Sequence, residues 1–475
     1  MSEKSKDNTD GGFCKPYIHS FRRFRDGRVF LTNDIGGSVW LSGKEFVKYS
    51  GGRLPSAGKL ADKLAFECFA ANKMDINYAK EQLGERFFRS WRAPHVHIIS
   101  LSAQCNLSCV YCSASACRES KKVMTEETAL KVLDFIFGLD TPRVLIELQG
   151  GEPLLQFDLL KFIVSEAGKR AGAKELHFSV VTNLWAMDEK KAEYLTENGI
   201  TVCASLDGPA DLHDANRPCA DGSSHERAFK WLKKIAGTCW KERHEPPNAI
   251  CTVTRKSLAY PKQIIDEYIR AGIKRIQLGP LDPLGRAAKA WKDIGYEAED
   301  FLKFYKEAIE YILELNRHGK PVYEKAALAF AKQLFGLARP RYQNLDLIYR
   351  LAYNWDGGIY GSDEARMLAN DGDDFFRLGD VRKDDFAAIA GRPVSRFLIS
   401  SALGCYNQPL CARCPFSLYC RIPPVYNYIT QGSPLGNMAT NDRCILYKSI
   451  YALLSQLSSD KENYKIFRKW DRMYD

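Results

Sequence analysis

This sequence contains no run of about 18 apolar residues, which argues against a membrane-spanning helix. Its opening stretch, MSEKSKDNTDGG, has no apolar segment of the kind a secretory signal carries. It reads as a disordered polar leader on a cytoplasmic protein. Histidine is sparse, with eight in 475 residues, and none shows metal-ligand spacing. No Arg/Lys run with interleaved aromatics stands out. The formal charge of +10 therefore reads as a solvated basic surface, or a face for an acidic peptide or electron donor, rather than a nucleic-acid site. No low-complexity segment interrupts the chain, and its length allows two or three domains with sizeable cores.

Cysteine is what the sequence has in excess. Fifteen are present, four within Cys105–Cys117 and five within Cys405–Cys444. Without a signal peptide, disulfides explain them poorly, and clustering points to metal. The scattered ones (Cys14, Cys68, Cys203, Cys219, Cys239 and Cys251) are expected to be buried apolar thiols.

Residues 1–93 form a first region, an α+β domain with hairpins at Asp26-Gly27 and Gly36-Gly37 and helices near 57–72 and 76–90. Residues 94–285 alternate regularly. Strands are expected at 97–101, 143–148, 176–181, 201–205, 249–254 and 274–279. Helices are expected at 126–138, 157–170, 188–198, 225–236 and 261–271. Thr125 before Glu126-Glu127 suits a helix start, and Gly199 and Gly272 stand where helix C-caps belong. Six βα steps predict an α/β fold, a six-stranded (βα)6 partial barrel. Residues 286–349 read as a helical connector. Residues 350–475 read as a loop-rich, cysteine-bearing domain closed by an amphipathic helix at 446–458.

The polar motifs then gather at the strand C-termini, the rim where parallel barrels carry their sites. Cys105, Cys109 and Cys112 form a CxxxCxxC loop after the first strand. Three thiolates hold three irons of a four-iron cluster and leave the fourth open to an exogenous ligand, such as the amino and carboxylate groups of S-adenosylmethionine (SAM). A structural zinc with Cys117 as fourth ligand is the alternative, although zinc cysteines usually come as two separated pairs. Gly150-Gly151-Glu152-Pro153 follows the second strand, where glycines permit close backbone approach and a carboxylate suits an ammonium.

These features resemble the radical SAM superfamily. The resemblance implies reductive SAM cleavage to a 5′-deoxyadenosyl radical on a 4Fe-4S cluster. Tyr111 would lie near the adenine, and Gly150, Gly151 and Glu152 would hold the SAM amino group. Thr182, Asn183 and Ser205 would line its ribose and carboxylate. Asp207-Gly208-Pro209 with His213, Asp214 and Arg217 resembles a stretch of peptide-modifying members. There Arg217 would grip a carboxylate of SAM or substrate, or else form a plain salt bridge. Asp207 would face substrate, and His213 would make a structural hydrogen bond.

Cys411, Cys414, Cys420 and Cys444 resemble the SPASM extension of such enzymes, with a zinc held by four cysteines as the alternative. The full motif has seven cysteines. Here Ser362 stands where a cysteine is expected, Pro424 replaces another, and no cysteine lies between Cys251 and Cys405. One auxiliary 4Fe-4S cluster is therefore expected, with Cys405 left over as an alternative ligand and Asp363 and Glu364 free to meet substrate. The segments FRRF, FLTND, YNWDGGIYGSDEARMLA and FRLGDV also resemble radical SAM maturases of the His-Xaa-Ser peptide system. That implies a small ribosomal precursor peptide as substrate, for crosslinking, epimerisation or oxidation. It also implies flavodoxin or ferredoxin as reductant and a second radical SAM protein as partner. The first domain would dock the peptide or shield the barrel. Formylglycine generation of the sulfatase-maturing type, or a non-catalytic scaffold, are the other readings.

Overall fold

A computed structural model of the chain describes residues 12–87, 93–242, 246–334, 347–402, 408–420 and 422–472. The polar leader lies almost entirely outside them, and Cys405 lies outside them too. The chain divides into two compact units. One comprises Met1–Ser90, Lys332–Tyr342 and Gly404–Cys420, and the other Trp91–Ala331, Gln343–Leu403 and Arg421–Asp475.

In the first unit three strands form an antiparallel sheet in the order β1 (Ser20–Arg23), β2 (Arg28–Thr32), β3 (Ser38–Ser42). The turns between them pass through Gly27 and Gly36, both at positive φ. Val29, Leu31, Val39 and Leu41 alternate onto one core with Phe46 and Leu64 from the following helices, Gly43–Ser50 and Lys59–Phe66. Residues 408–420 belong to this unit. Phe416 stacks on Phe30 at 6.1 Å, and the Thr32 hydroxyl donates to the Pro415 carbonyl at 2.9 Å.

The second unit is built on a ten-stranded sheet. Six parallel strands lie side by side in chain order: β4 (Val96–Ser100), β5 (Arg143–Gln149), β6 (Glu175–Thr182), β7 (Ile200–Ser205), β8 (Asn248–Val253) and β9 (Arg275–Pro280). The order has no reversal, so these strands wind one way, as a barrel does and a doubly wound sheet does not. The helices between them are Glu126–Phe137, Phe157–Arg170, Glu189–Glu197, Ser224–Glu242 and Pro261–Arg270. The Thr125 side chain caps the first, and Gly199 and Gly272 take positive φ just past two of the others.

Along β5, Val144, Ile146 and Leu148 are buried, whereas Leu145, Glu147 and Gln149 are half-buried. The same alternation on β6 to β9 leaves a second face carrying Ser179, Cys203, Ser205, Thr252 and Gln277. One face is thus apolar and sealed, and the other is polar and partly open.

The region after 349 departs from the expected loop-rich domain. β11 (Arg350–Tyr353) pairs parallel to β4. β12 (Gly358–Tyr360) and β13 (Arg377–Asp380) continue antiparallel. β10 (Tyr323–Glu324) adds to the other edge beside β9. Strands of two to four residues are too short for a period-2 pattern to reveal. The helix expected to close the chain spans Asp442–Ser458, and a further helix, Lys461–Arg472, follows it. Among the described residues no helix is long and apolar enough to cross a membrane.

Candidate active site

The three cysteines of the first motif lie in one cluster with Leu107, Tyr111, Ala114 and Leu281. Cys105 and Cys109 are buried and Cys112 half-buried. Backbone bonds pin the loop from several sides. Cys105 N–H donates to Cys117 O at 3.0 Å, Ser108 N–H to Pro218 O at 2.9 Å and Val110 N–H to Asn216 O at 2.9 Å. Arg286 closes it. Its N–H donates to Cys112 O at 2.9 Å, its Nη1 to Cys109 O at 3.1 Å, and its Nη2 to Ala116 O. Gly285 before it has φ +63°, and a Cβ there would stand 2.5 Å from Cys112 O. Neither residue was singled out from sequence; the signal available was a Gly-Arg pair in the loop after β9.

The glycines of the GGEP motif serve the same loop. Gly150 has φ +148°, and a Cβ on it would meet Ser102 O at 2.6 Å. A Cβ on Gly151 would collide with the Gln104 carbonyl. The gap they leave lets Gly151 N–H donate to Ser102 O and Glu152 N–H to Gln104 O, both at 2.8 Å. The end of β5 is thereby sewn to the start of the cysteine loop.

Glu152 is 0% exposed. Its carboxylate accepts from Thr182 Oγ1 at 2.6 Å, Asn183 N–H at 2.7 Å and Leu154 N–H at 3.0 Å. Burial pushes its pKa up to about 7 against the pull of these donors. The carboxylate thereby joins the ends of β5 and β6. Asn183 also donates to Asn106 Oδ1 at 2.9 Å and towards Cys105 Sγ at 3.7 Å. Ser205 ends β7 half-buried on the polar face.

Asp207, expected to face substrate, is 0% exposed. It accepts from Tyr111 OH at 2.6 Å and from Arg217 Nε and Nη2 at 3.2 and 3.3 Å. The carboxylate Arg217 grips is therefore the chain's own. Tyr111 is buried with its hydroxyl spent on Asp207, and the guanidinium carbon lies 5.2 Å from its ring centroid. His213 Nδ1 accepts from Asp207 N–H at 3.2 Å, the structural role expected of it. Burial holds its pKa down to about 3.

Asp363 is taken by Arg366 at 2.6 Å, and Glu364 lies 3.2 Å from Arg350. Both carboxylates expected to be free thus have cationic partners. Ser362 caps the helix Asp363–Asn370, accepting from Ala365 N–H at 3.3 Å. Sequence reasoning missed Glu147 on the polar face, with Gln149 at 2.5 Å and Ser179 at 3.5 Å. The signal was an acid inside the apolar run VLIELQ. Of the second cysteine set, Cys411, Cys414 and Cys420 belong to the first unit and Cys444 to the second. Cys14, Cys68, Cys239 and Cys251 are buried as expected, whereas Cys203 and Cys219 are half-buried.

Whether an iron–sulfur cluster suits the first site can be judged from what surrounds the thiols. Among the described residues no three Cys, His, Asp or Glu side chains are gathered as for a single metal ion. Asn106 Nδ2 and Ser115 Oγ are buried beside Cys105 and Cys112 without a protein partner. Arg217 and Asn183 aim N–H groups at two of the sulfurs. Three thiols with donors around them fit a cluster whose sulfurs accept hydrogen bonds.

Comparison with known proteins agrees. The Radical SAM superfamily matches residues 99–241. A GTP 3',8-cyclase of Listeria monocytogenes is 33% identical over 272 residues, 55% of this chain and 77% of that protein. A cysteine-type anaerobic sulfatase-maturating enzyme of Clostridium perfringens is 24% identical over 335 residues, 67% of this chain and 85% of that one. The chain spans 62% of an uncharacterised Methanocaldococcus jannaschii protein, with 31% identity over 187 residues, 39% of this chain. Among solved structures, native anSMEcpe with bound AdoMet superposes with a TM-score of 0.64 at 19% identity, covering 79% of this chain and 100% of that one. Streptococcus suis SuiB bound to precursor peptide SuiA gives 0.53 at 14% identity, covering 89% and 98%. These two show a shared fold. The thiol loop, its glycine seam and the six ordered parallel strands are therefore parts of one known architecture, and the chain belongs to the radical SAM superfamily.

Proposed function

We propose that this chain is a radical SAM maturase that modifies a ribosomally made peptide. The observation that carries the reading is the loop of Cys105, Cys109 and Cys112, sewn to Gly150–Glu152 at the ends of parallel strands. When bound there, the cluster and SAM supply a 5′-deoxyadenosyl radical by reductive cleavage. The chain's own part is to hold the thiolates, exclude water behind them and place a substrate C–H within reach. The half-buried polar face around Glu147, Ser179 and Thr252 offers the wall for that substrate. A peptide substrate is supported by the likeness to His-Xaa-Ser maturases and by the fold shared with SuiB, whose structure holds a precursor peptide. The auxiliary cluster on Cys411, Cys414, Cys420 and Cys444, the electron donor and a second radical SAM partner are part of the same proposal.

Formylglycine formation is the second reading, favoured by the likeness to sulfatase-maturating enzymes over 67% of this chain. Ser362, a helix cap where a cluster cysteine is expected, speaks against it. The test is anaerobic reconstitution with iron and sulfide, then SAM and reductant. 5′-Deoxyadenosine is expected from wild type and none from Cys109→Ala. Adding the peptide encoded beside the gene, or a sulfatase peptide, then separates the readings by which one changes mass. Zinc as the bound metal, with no SAM cleavage, would overturn both.

A further inference from the structure

Arg217 is 7% exposed and its guanidinium has three occupied sides. Nε and Nη2 meet the two oxygens of Asp207, and Tyr111 lies against the plane. The remaining nitrogen, Nη1, stands 3.9 Å from Cys109 Sγ. Asp207 is itself immobilised by Tyr111 OH at 2.6 Å, Asn216 Nδ2 at 3.3 Å and Thr252 N–H at 3.3 Å. The fork that would bind a ligand carboxylate is thus already used, and the cation is held against one sulfur. Cys105 instead receives neutral amides, from Asn183 at 3.7 Å and from the Leu107 backbone.

We propose that Arg217 is a positioning residue that donates to the Cys109 sulfur and raises the reduction potential of the cluster bound there, with Asp207 fixing its place and tempering its charge. This rests on the functional reading above. Reduction adds one negative charge to the cluster, delivered by the external electron donor, with no bond made or broken at Arg217. A buried cation 3.9 Å from a ligand sulfur favours the reduced state, because little solvent lies between to screen it. Asp207 carries the opposite charge and acts on Cys109 more weakly than Arg217 does.

The test is a redox titration of reconstituted protein without SAM, followed by electron paramagnetic resonance. Omitting SAM means a lost SAM contact cannot produce the result. Arg217→Gln is expected to shift the midpoint to more negative potential, Asp207→Asn to more positive, and Arg217→Lys to stay near wild type. Iron per chain should be unchanged. If Arg217→Gln does not assemble a cluster, the sign of the Asp207→Asn shift decides. Unchanged midpoints in intact clusters, shifts of the same sign, or failure of both variants to assemble would overturn the proposal. A wild-type protein holding no reducible cluster would instead sink the functional reading.

Discussion

At the scale of single residues, the site depends on atoms that are missing as much as on those present. Gly151 lacks the Cβ that would strike the Gln104 backbone, 2.5 Å from its carbonyl carbon. Gly151→Ala is expected to cost about 1–3 kcal/mol, the usual penalty for overpacking, and to lower the iron retained. Thermal unfolding and an iron assay check both. His213 carries a pH dependence. It is neutral in the fold, with its pKa held at about 3 by burial among Asp207, Arg217, His225 and Asp214. Unfolded, it titrates near 6.5, so the unfolded state binds the extra proton between those values. Its contribution is present above about pH 6.5 and is lost as pH falls towards 3. His213→Asn keeps an acceptor for Asp207 N–H and should show a shallower loss of urea midpoint between pH 7.5 and pH 5. An equal slope in both proteins would contradict this account.

At the scale of elements, helix starts and strand ends do the positioning. The helix Arg286–Ile294 begins on the cysteine loop, and its first side chain reaches two loop carbonyls. Arg286→Ala leaves the carbonyls of Cys109 and Ala116 without that donor, at about 1–3 kcal/mol for each one that stays buried. Faster iron loss to a chelator is the expected outcome, with overall secondary structure unchanged by circular dichroism. The start of the helix Asp442–Ser458 is tied in a similar way. Arg443, beside Cys444, donates to Leu281 O at 2.8 Å and pairs with Asp282. Leu281 belongs to the cluster that holds the first three thiols. A residue next to one expected auxiliary ligand thus bears on the loop of the first site.

At the scale of the whole molecule, the cysteines separate by unit. Phe30, Thr32 and Arg22 of the N-terminal sheet hold the segment that carries Cys411, Cys414 and Cys420. Three of the four expected auxiliary ligands thus belong to the unit expected to dock the peptide or shield the barrel. If the second cluster is built as proposed, iron should measure about eight per chain, and Cys414→Ala should reduce it to about four. That variant should keep the electron paramagnetic signal of the first cluster. About twelve irons in wild type would mean a further cluster, and an unchanged count in the variant would remove Cys414 as a ligand.

The sequence by itself determined the parts whose physics is local. The six parallel strands and the helices between them were legible to within a residue or two at most ends, because period-2 and period-3.6 patterns, a Thr125 cap and glycines at helix ends are short-range signals. The exception was the helix Ser224–Glu242, which runs six residues beyond the expected end at 236. The cysteine loop and its glycines were legible for the same reason: ligand spacing and close approach are written in adjacent residues. What only the tertiary structure decided are the pairings between residues far apart in the chain. Glu152 joins two strand ends because Thr182 and Asn183 stand across from it, and Arg217 pairs with Asp207 ten residues away. The strands after residue 349 became visible only when β4 offered them an edge. A carboxylate in a sequence announces its charge. Its burial and its partners are properties of the fold, and they decide whether that charge serves a ligand or the protein itself.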